Sequence, residues 1–244
     1  MNHSYIDKYS ELDSFVQKLD PRVKIVGFIG TMLFIIFTRP DSLDSFLLYA
    51  ILLSSLIVAS KLPLKFVLLR SLTIVPFVVM IALFIPFMEE RRINGVTNLV
   101  FFRSILIKSY LCMLCTILLT STTKFDLFLK ALEKLKVPSV IVMILSFMYR
   151  YIFVVVDELM GMKMAKNART IGGSSWFHLK ALSNMVGVLF LRSYEKGESV
   201  YMAMCARGFK GEIKTLDQLR VTGLDVAFLF FVGSILCCIR FYVG

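Results

Sequence analysis

Histidine is nearly missing from this chain: His3 and His178 are the only two among 244 residues. A tetrahedral zinc site needs four thiolate or imidazole ligands at suitable spacing. The five cysteines do not supply the rest. Cys112 and Cys115 lie three apart on one apolar stretch, and Cys237 and Cys238 are adjacent on another, so they read as small hydrophobes. A copper or nickel chelate at Met1-Asn2-His3 is set aside, since it requires a free terminal amine. No metal site and no cofactor is expected. A Gly-x-x-x-x-Gly-Lys-Ser/Thr loop is missing too, which excludes ATP binding of the P-loop kind. Gly172-Gly173-Ser174-Ser175 lacks the lysine and reads as a turn. Asp157 and Glu158 are neighbours, but adjacent helical side chains diverge by about 100°, so they read as a solvated face. With no catalytic grouping in view, an enzyme is not expected. Residues 1–20 are polar and amphipathic, without an apolar run and small-residue cleavage site, so no signal peptide is expected.

What is present is apolar surface. The chain is 57% hydrophobic with a mean hydropathy of +0.77, too apolar for a soluble domain of this size. Several apolar runs approach the length that crosses a bilayer, which predicts an all-α, polytopic membrane protein with about five transmembrane helices plus long cytoplasmic helices. The net charge of +11 then reflects cytoplasmic loops obeying the positive-inside rule, not nucleic-acid binding. Asp20 can cap a first helix with Pro21 at its first position. Arg22 and Lys24 stand at the membrane edge. Spans are expected at about 23–37, 46–59, 68–87, 104–120 and 224–243. The third carries Pro76 and Pro86 and should kink near mid-span. Arg103 and Lys108 must snorkel or face protein. Lys/Arg-rich loops put the N-terminus, the second loop and the 124–220 region in the cytoplasm, and five spans put the C-terminus outside.

The region from Pro138 to Gly211 organises the chain. Residues 125–135 form a short amphipathic helix. The apolar run 137–156 is interrupted by Arg150 and reads as a helix at the inner membrane face rather than a span. Two long helices follow one another. The first runs from Pro138 to Arg169 and ends Ala168-Arg169-Thr170. The second runs from about Phe177 and ends Ala206-Arg207-Gly208. A cation in a last helical turn suits the dipole, and a glycine beyond it suits a left-handed cap. Met160, Met162 and Met164 precede the first motif, and Met202 and Met204 the second; flexible thioethers suit either interhelical packing or a surface that re-packs against a partner. Domains are expected at 1–122 (four spans), 123–220 (cytoplasmic helices) and 221–244 (last span).

These residues resemble a known family. Leu19-Asp20-Pro21-Arg22-Val23-Lys24, Val137-Pro138, Tyr149-Arg150-Tyr151 with Glu158, and the run Leu191 to Gly211 are similar to the energy-coupling-factor (ECF) transporter T component. The type is the cobalt-transport permease Q subunit (CbiQ family). The resemblance implies a non-catalytic membrane scaffold. It would join two cytoplasmic ABC-type ATPase subunits to a substrate-binding membrane subunit in an importer for cobalt or nickel. It implies a multi-pass protein of the bacterial inner membrane, and docking of the ATPases on Ala168, Arg169 and Thr170 and on Ala206, Arg207 and Gly208. Thr170 departs from the glycine or serine usual there. Two other classes stay open on the residues alone. A self-sufficient secondary transporter would show ionisable mid-membrane residues or repeated halves. A membrane-embedded enzyme would show clustered Asp, His or Glu.

Overall fold

The dipeptide Asp20-Pro21 starts a helix for a plain reason. The Asp20 carboxylate accepts from the Arg22 amide at 2.9 Å, and Pro21, with no amide to leave unpaired, opens the first turn. The computed structural model of the chain describes residues 14–73, 75–83, 98–169, 172, 175–209, 211 and 222–243. Among these described residues there are ten helices and no strand: α1 (Phe15–Lys18), α2 (Pro21–Phe37), α3 (Leu43–Ala59), α4 (Leu64–Leu72), α5 (Val75–Leu83), α6 (Asn98–Thr122), α7 (Phe125–Lys134), α8 (Ser139–Arg169), α9 (Ser175–Ala206) and α10 (Gly223–Val243). The protein is all-α and polytopic. The chain divides into two compact units, one of Asn2–Ala131 with Gln218–Gly244 and one of Leu132–Asp217.

In the first unit, α2, α3, α6 and α10 pack about a shared core. Ile35, Tyr49, Leu53, Ile117 and Leu118 are fully enclosed, and Val232, Leu236 and Ile239 of α10 close the side. Phe37, Leu47, Ile51, Val58, Phe230 and Phe231 point outward. Lipid is as apolar as these side chains, so close packing and interhelical hydrogen bonds, rather than water exclusion, hold such a bundle together. Cys115 is buried in that core as an apolar filler.

The expected kink in the third span is a full interruption. α4 stops at Leu72 and α5 resumes at Val75, so Pro76 falls in a first turn, where its missing amide breaks no helical bond. Pro86 and the Glu89-Glu90-Arg91-Arg92 loop lie outside the described residues. α6 begins at Asn98, six residues before the expected start, and runs 25 residues. By length and composition, α6, α8 and α10 can each cross a membrane. α8 therefore meets the requirement for a span, although Arg150 and the basic stretch after it favoured the membrane face in the sequence. α2 and α3 are 17 residues each.

The second unit is built on two helices, α8 of 31 residues and α9 of 32. They begin within two residues of their expected positions and end at Arg169 and Ala206. Along α8 only Val142 is buried, and along α9 no described residue is.

Candidate functional site

The site is a pair of long helices in contact, with arginines at their ends. At the contact, Arg192 of α9 donates from Nη1 to Glu158 Oε1 of α8. Gly161 and Lys196-Gly197 flank the pair, and shallow hollows open on either side, lined by Val154, Met162 and Ala165 on one and by Phe147, Met148 and Tyr151 on the other. Glu158, read from sequence as part of a solvated carboxylate face, is thus a contact between the two helices. From this contact, at 1.5 Å per residue, α8 runs about 16 Å further to Arg169 and α9 about 22 Å to Arg207.

Each tip carries a left-handed glycine beyond its arginine. At the second, Gly208 takes φ +81°, a left-handed conformation that a Cβ would strain. The Gly208 amide donates to the Cys205 carbonyl at 3.0 Å and the Phe209 amide to the Met204 carbonyl at 3.1 Å. That pair of bonds is the Schellman closure, which satisfies the last orphan carbonyls and places Arg207 at the cap itself. Ala206 and Arg207 are exposed. One turn earlier, a hydrogen bond with the Cys205 thiol raises the Tyr201 phenol above its ordinary range.

At the first tip, Ala168 and Arg169 are exposed at the end of α8, and among the described residues beyond them Gly172, three positions after the arginine, is left-handed at φ +82°. Thr170 lies outside the described residues. Of the methionines, Met160, Met164 and Met202 are exposed, while Met162 and Met204 are partly covered.

A second polar constellation, in the first unit, escapes sequence reasoning. Lys24, in the first turn of α2, is 1% exposed. Its ammonium donates to the Gln17 carbonyl at 2.9 Å and the Thr122 carbonyl at 3.1 Å. Asp225 Oδ1 accepts from the Asp20 amide at 2.7 Å, and Oδ2 accepts from the Thr222 amide at 2.7 Å and hydroxyl at 2.6 Å. The signal was legible in part: Thr222-Gly223-Leu224-Asp225 has the spacing of a capping box. At the opposite end of α2, Lys108 donates to the Ile36 and Thr38 carbonyls at 2.8 and 2.6 Å, and Arg240 to the Phe37 carbonyl at 2.9 Å. Lys108 therefore resolves its sequence alternatives by facing protein, while Arg103 is exposed. Carboxylates stand at the positive end of α2 and cations at its negative end, as the dipole favours.

Among the described residues, no three His, Cys, Asp or Glu side chains gather as metal ligands would. The features together define a polytopic helical membrane protein that carries a contacting pair of long, largely uncovered helices. The family model described as cobalt transport protein, CbiQ, matches residues 13–216. The chain belongs to the CbiQ family.

Relatives agree in kind. The chain is similar to the energy-coupling factor transporter transmembrane protein EcfT of Bacillus selenitireducens, 28% identical over 84% of either chain. It is similar to the EcfT protein of Limosilactobacillus fermentum, 27% identical over 92% of this chain and 95% of that one. A putative fused cobalt transport protein CbiMQ of Methanocorpusculum labreanum is 31% identical over 38% of this chain and 16% of its own length.

Proposed function

We propose that this chain is the membrane coupling subunit of an ATP-driven ECF-type importer for cobalt or nickel. Two cytoplasmic ABC-type ATPase subunits supply the motion, and a separate membrane subunit captures the ion. Arg169 and Arg207, with Ala168, Thr170, Ala206 and Gly208 beside them, are the handles those ATPases hold. The observation that carries this reading is the second tip. A 32-residue helix with no buried residue ends in a closed left-handed cap that leaves an exposed guanidinium at its end. Arginine offers a permanently charged, rigid donor fork, suited to a partner groove lined with carboxylate or carbonyl oxygens. A stiff helix carrying such a fork transmits rigid-body motion, and helix-in-groove docking asks for no catalytic residue on this side. In this reading the protein is a multi-pass component of the bacterial inner membrane with its N-terminus in the cytoplasm; α8, although long and apolar enough to cross, lies at the inner membrane face, and the 123–220 region is on the cytoplasmic side.

The test is co-expression with the two ATPases and the ion-capturing subunit. Arg207→Glu is expected to abolish both ATPase co-purification and metal uptake while membrane insertion and helical content stay unchanged. Assembly and uptake at the unsubstituted level would overturn the proposal. Cysteines placed at 169 and 207 should react with an impermeant reagent only from the cytoplasmic face. Labelling from outside would be equally fatal.

A further inference from the structure

We propose that Lys108 and Arg240 form a binding site for the phosphate of an anionic phospholipid, at the end of the first unit's bundle where α2 stops. Three helices of that unit build it. The carbonyls of three consecutive residues at the end of α2 hold both cations. Lys108 Nζ of α6 donates to Ile36 at 2.8 Å and to Thr38 at 2.6 Å, and Arg240 Nη1 of α10 donates to Phe37 at 2.9 Å. Two full positive charges are thereby fixed beside one another. A helix C-terminus carries only about half a negative charge, so the carbonyls leave most of that charge uncompensated. The loop between α2 and α3 bears Arg39, Asp41 and Asp44, all exposed, and among the described residues neither acid pairs with Lys108 or Arg240. Arg240 is itself exposed, and among the described residues its guanidinium uses one N–H on Phe37 and makes no other bond. A guanidinium presents five N–H donors in a planar fork, a geometry that grips phosphate oxygens in pairs.

The surroundings favour a lipid over a free anion. Ile36 and Phe37, whose carbonyls are bound, have exposed side chains, and Phe241, next after Arg240, is 91% exposed. Along α10, Phe231, Ser234, Cys238 and Phe241 form an exposed stripe at helical spacing. It leads back from Arg240 for about 15 Å. α6 and α10 are each long and apolar enough to cross a membrane, so this stripe is a surface for hydrocarbon. A phosphate on the fork, with acyl chains laid along the stripe, engages both halves of the site. A soluble anion would use the cations alone and leave Phe37 and Phe241 bare. Basic pockets between membrane helices bind acidic lipid headgroups by the same physics.

The full-length protein, purified in an uncharged detergent, is titrated with phosphatidylglycerol and, separately, with phosphatidylcholine, and bound lipid is counted by native mass spectrometry. Expected is about tenfold tighter retention of phosphatidylglycerol. Arg240→Gln should remove that preference while phosphatidylcholine binding stays as it was. Arg240→Lys, which keeps the charge and loses the fork, should retain part of it. A second readout separates binding from a merely structural role. Nanodiscs of phosphatidylglycerol should raise the unfolding temperature of the unsubstituted protein above its value in phosphatidylcholine, and should not do so for Arg240→Gln. A side chain that only caps α2 would instead lower both temperatures alike when replaced. Should Arg240→Gln fail to fold, Lys108→Met in the same titration decides. Equal retention of the two lipids, or a preference that survives the substitution, overturns the proposal. Displacement of bound phosphatidylglycerol by inorganic phosphate or by a soluble acidic peptide overturns it too, since the site would then take an anion without its chains.

Discussion

α2 and α9 make the instructive contrast. α2 is 17 residues long, buries seven of them, and has both termini bound by side chains from other helices. α9 is nearly twice as long and buries none. Tertiary packing usually supplies most of a helix's stability, so α9 as it stands lacks what α2 has. A 32-residue rod exposing Trp176, Phe177, Phe190, Leu191 and Tyr194 is unfinished without something laid against it. One region is folded for its own sake, and the other is shaped for company.

Substitutions can break or sharpen that contrast. Charge reversal at Arg207 has the largest expected effect, with uptake lost and the bundle intact. Arg169→Glu should act in the same direction but less strongly, and a pull-down titration against the ATPases would rank the two tips. Next comes the core. Leu53→Ala removes a fully enclosed side chain and is expected to cost about 2–5 kcal/mol. The same truncation at half-exposed Leu182 on α9 should change stability by about 0.5 kcal/mol or less. Unfolding of the isolated protein in a denaturing-detergent titration distinguishes them, and equal losses would erase the difference between the regions. Gly208→Ala forces a Cβ into φ +81° at a cost of about 1–2 kcal/mol. ATPase capture should weaken about tenfold, whereas Gly172→Ala, strained alike but three residues from Arg169, should weaken it less. Smallest is Glu158→Gln. The pair it breaks is exposed, at 41% for Glu158 and 56% for Arg192, so its loss costs about 1 kcal/mol or less. Its signature is a broader spin-label distance distribution between α8 and α9.

The same contrast explains what could be read in the sequence. α8 and α9 were legible almost to the residue, because their limits are written locally in Pro138, in the glycines after each arginine, and in unbroken helical runs. Pro76 announced the interruption between α4 and α5 for the same reason. The arginine tips were visible as a repeated tripeptide, but the left-handed turn of Gly172 and Gly208 was not: whether a glycine one or three residues on turns left-handed depends on the path of the following chain. The polar cluster at Lys24 was hidden for another reason. The carbonyl that a lysine finds nearly a hundred residues away is set by how helices pack, and Lys24 beside Arg22 looks like any basic flank. Arg240 likewise shows nothing in its neighbours of the α2 carbonyl it binds.

The side chains at both ends of α2 also set a dimension. Seventeen residues rise about 26 Å, less than the roughly 30 Å of an ordinary hydrocarbon layer. α3 has the same number of residues. Neither end of α2 can be extended by a further turn without giving up Asp20 and Asp225 at one side or Lys108 and Arg240 at the other. Where these helices are spans, the shortfall of a few ångströms is met by local thinning of the bilayer or by flanking side chains reaching outward, at a fraction of a kcal/mol for each ångström.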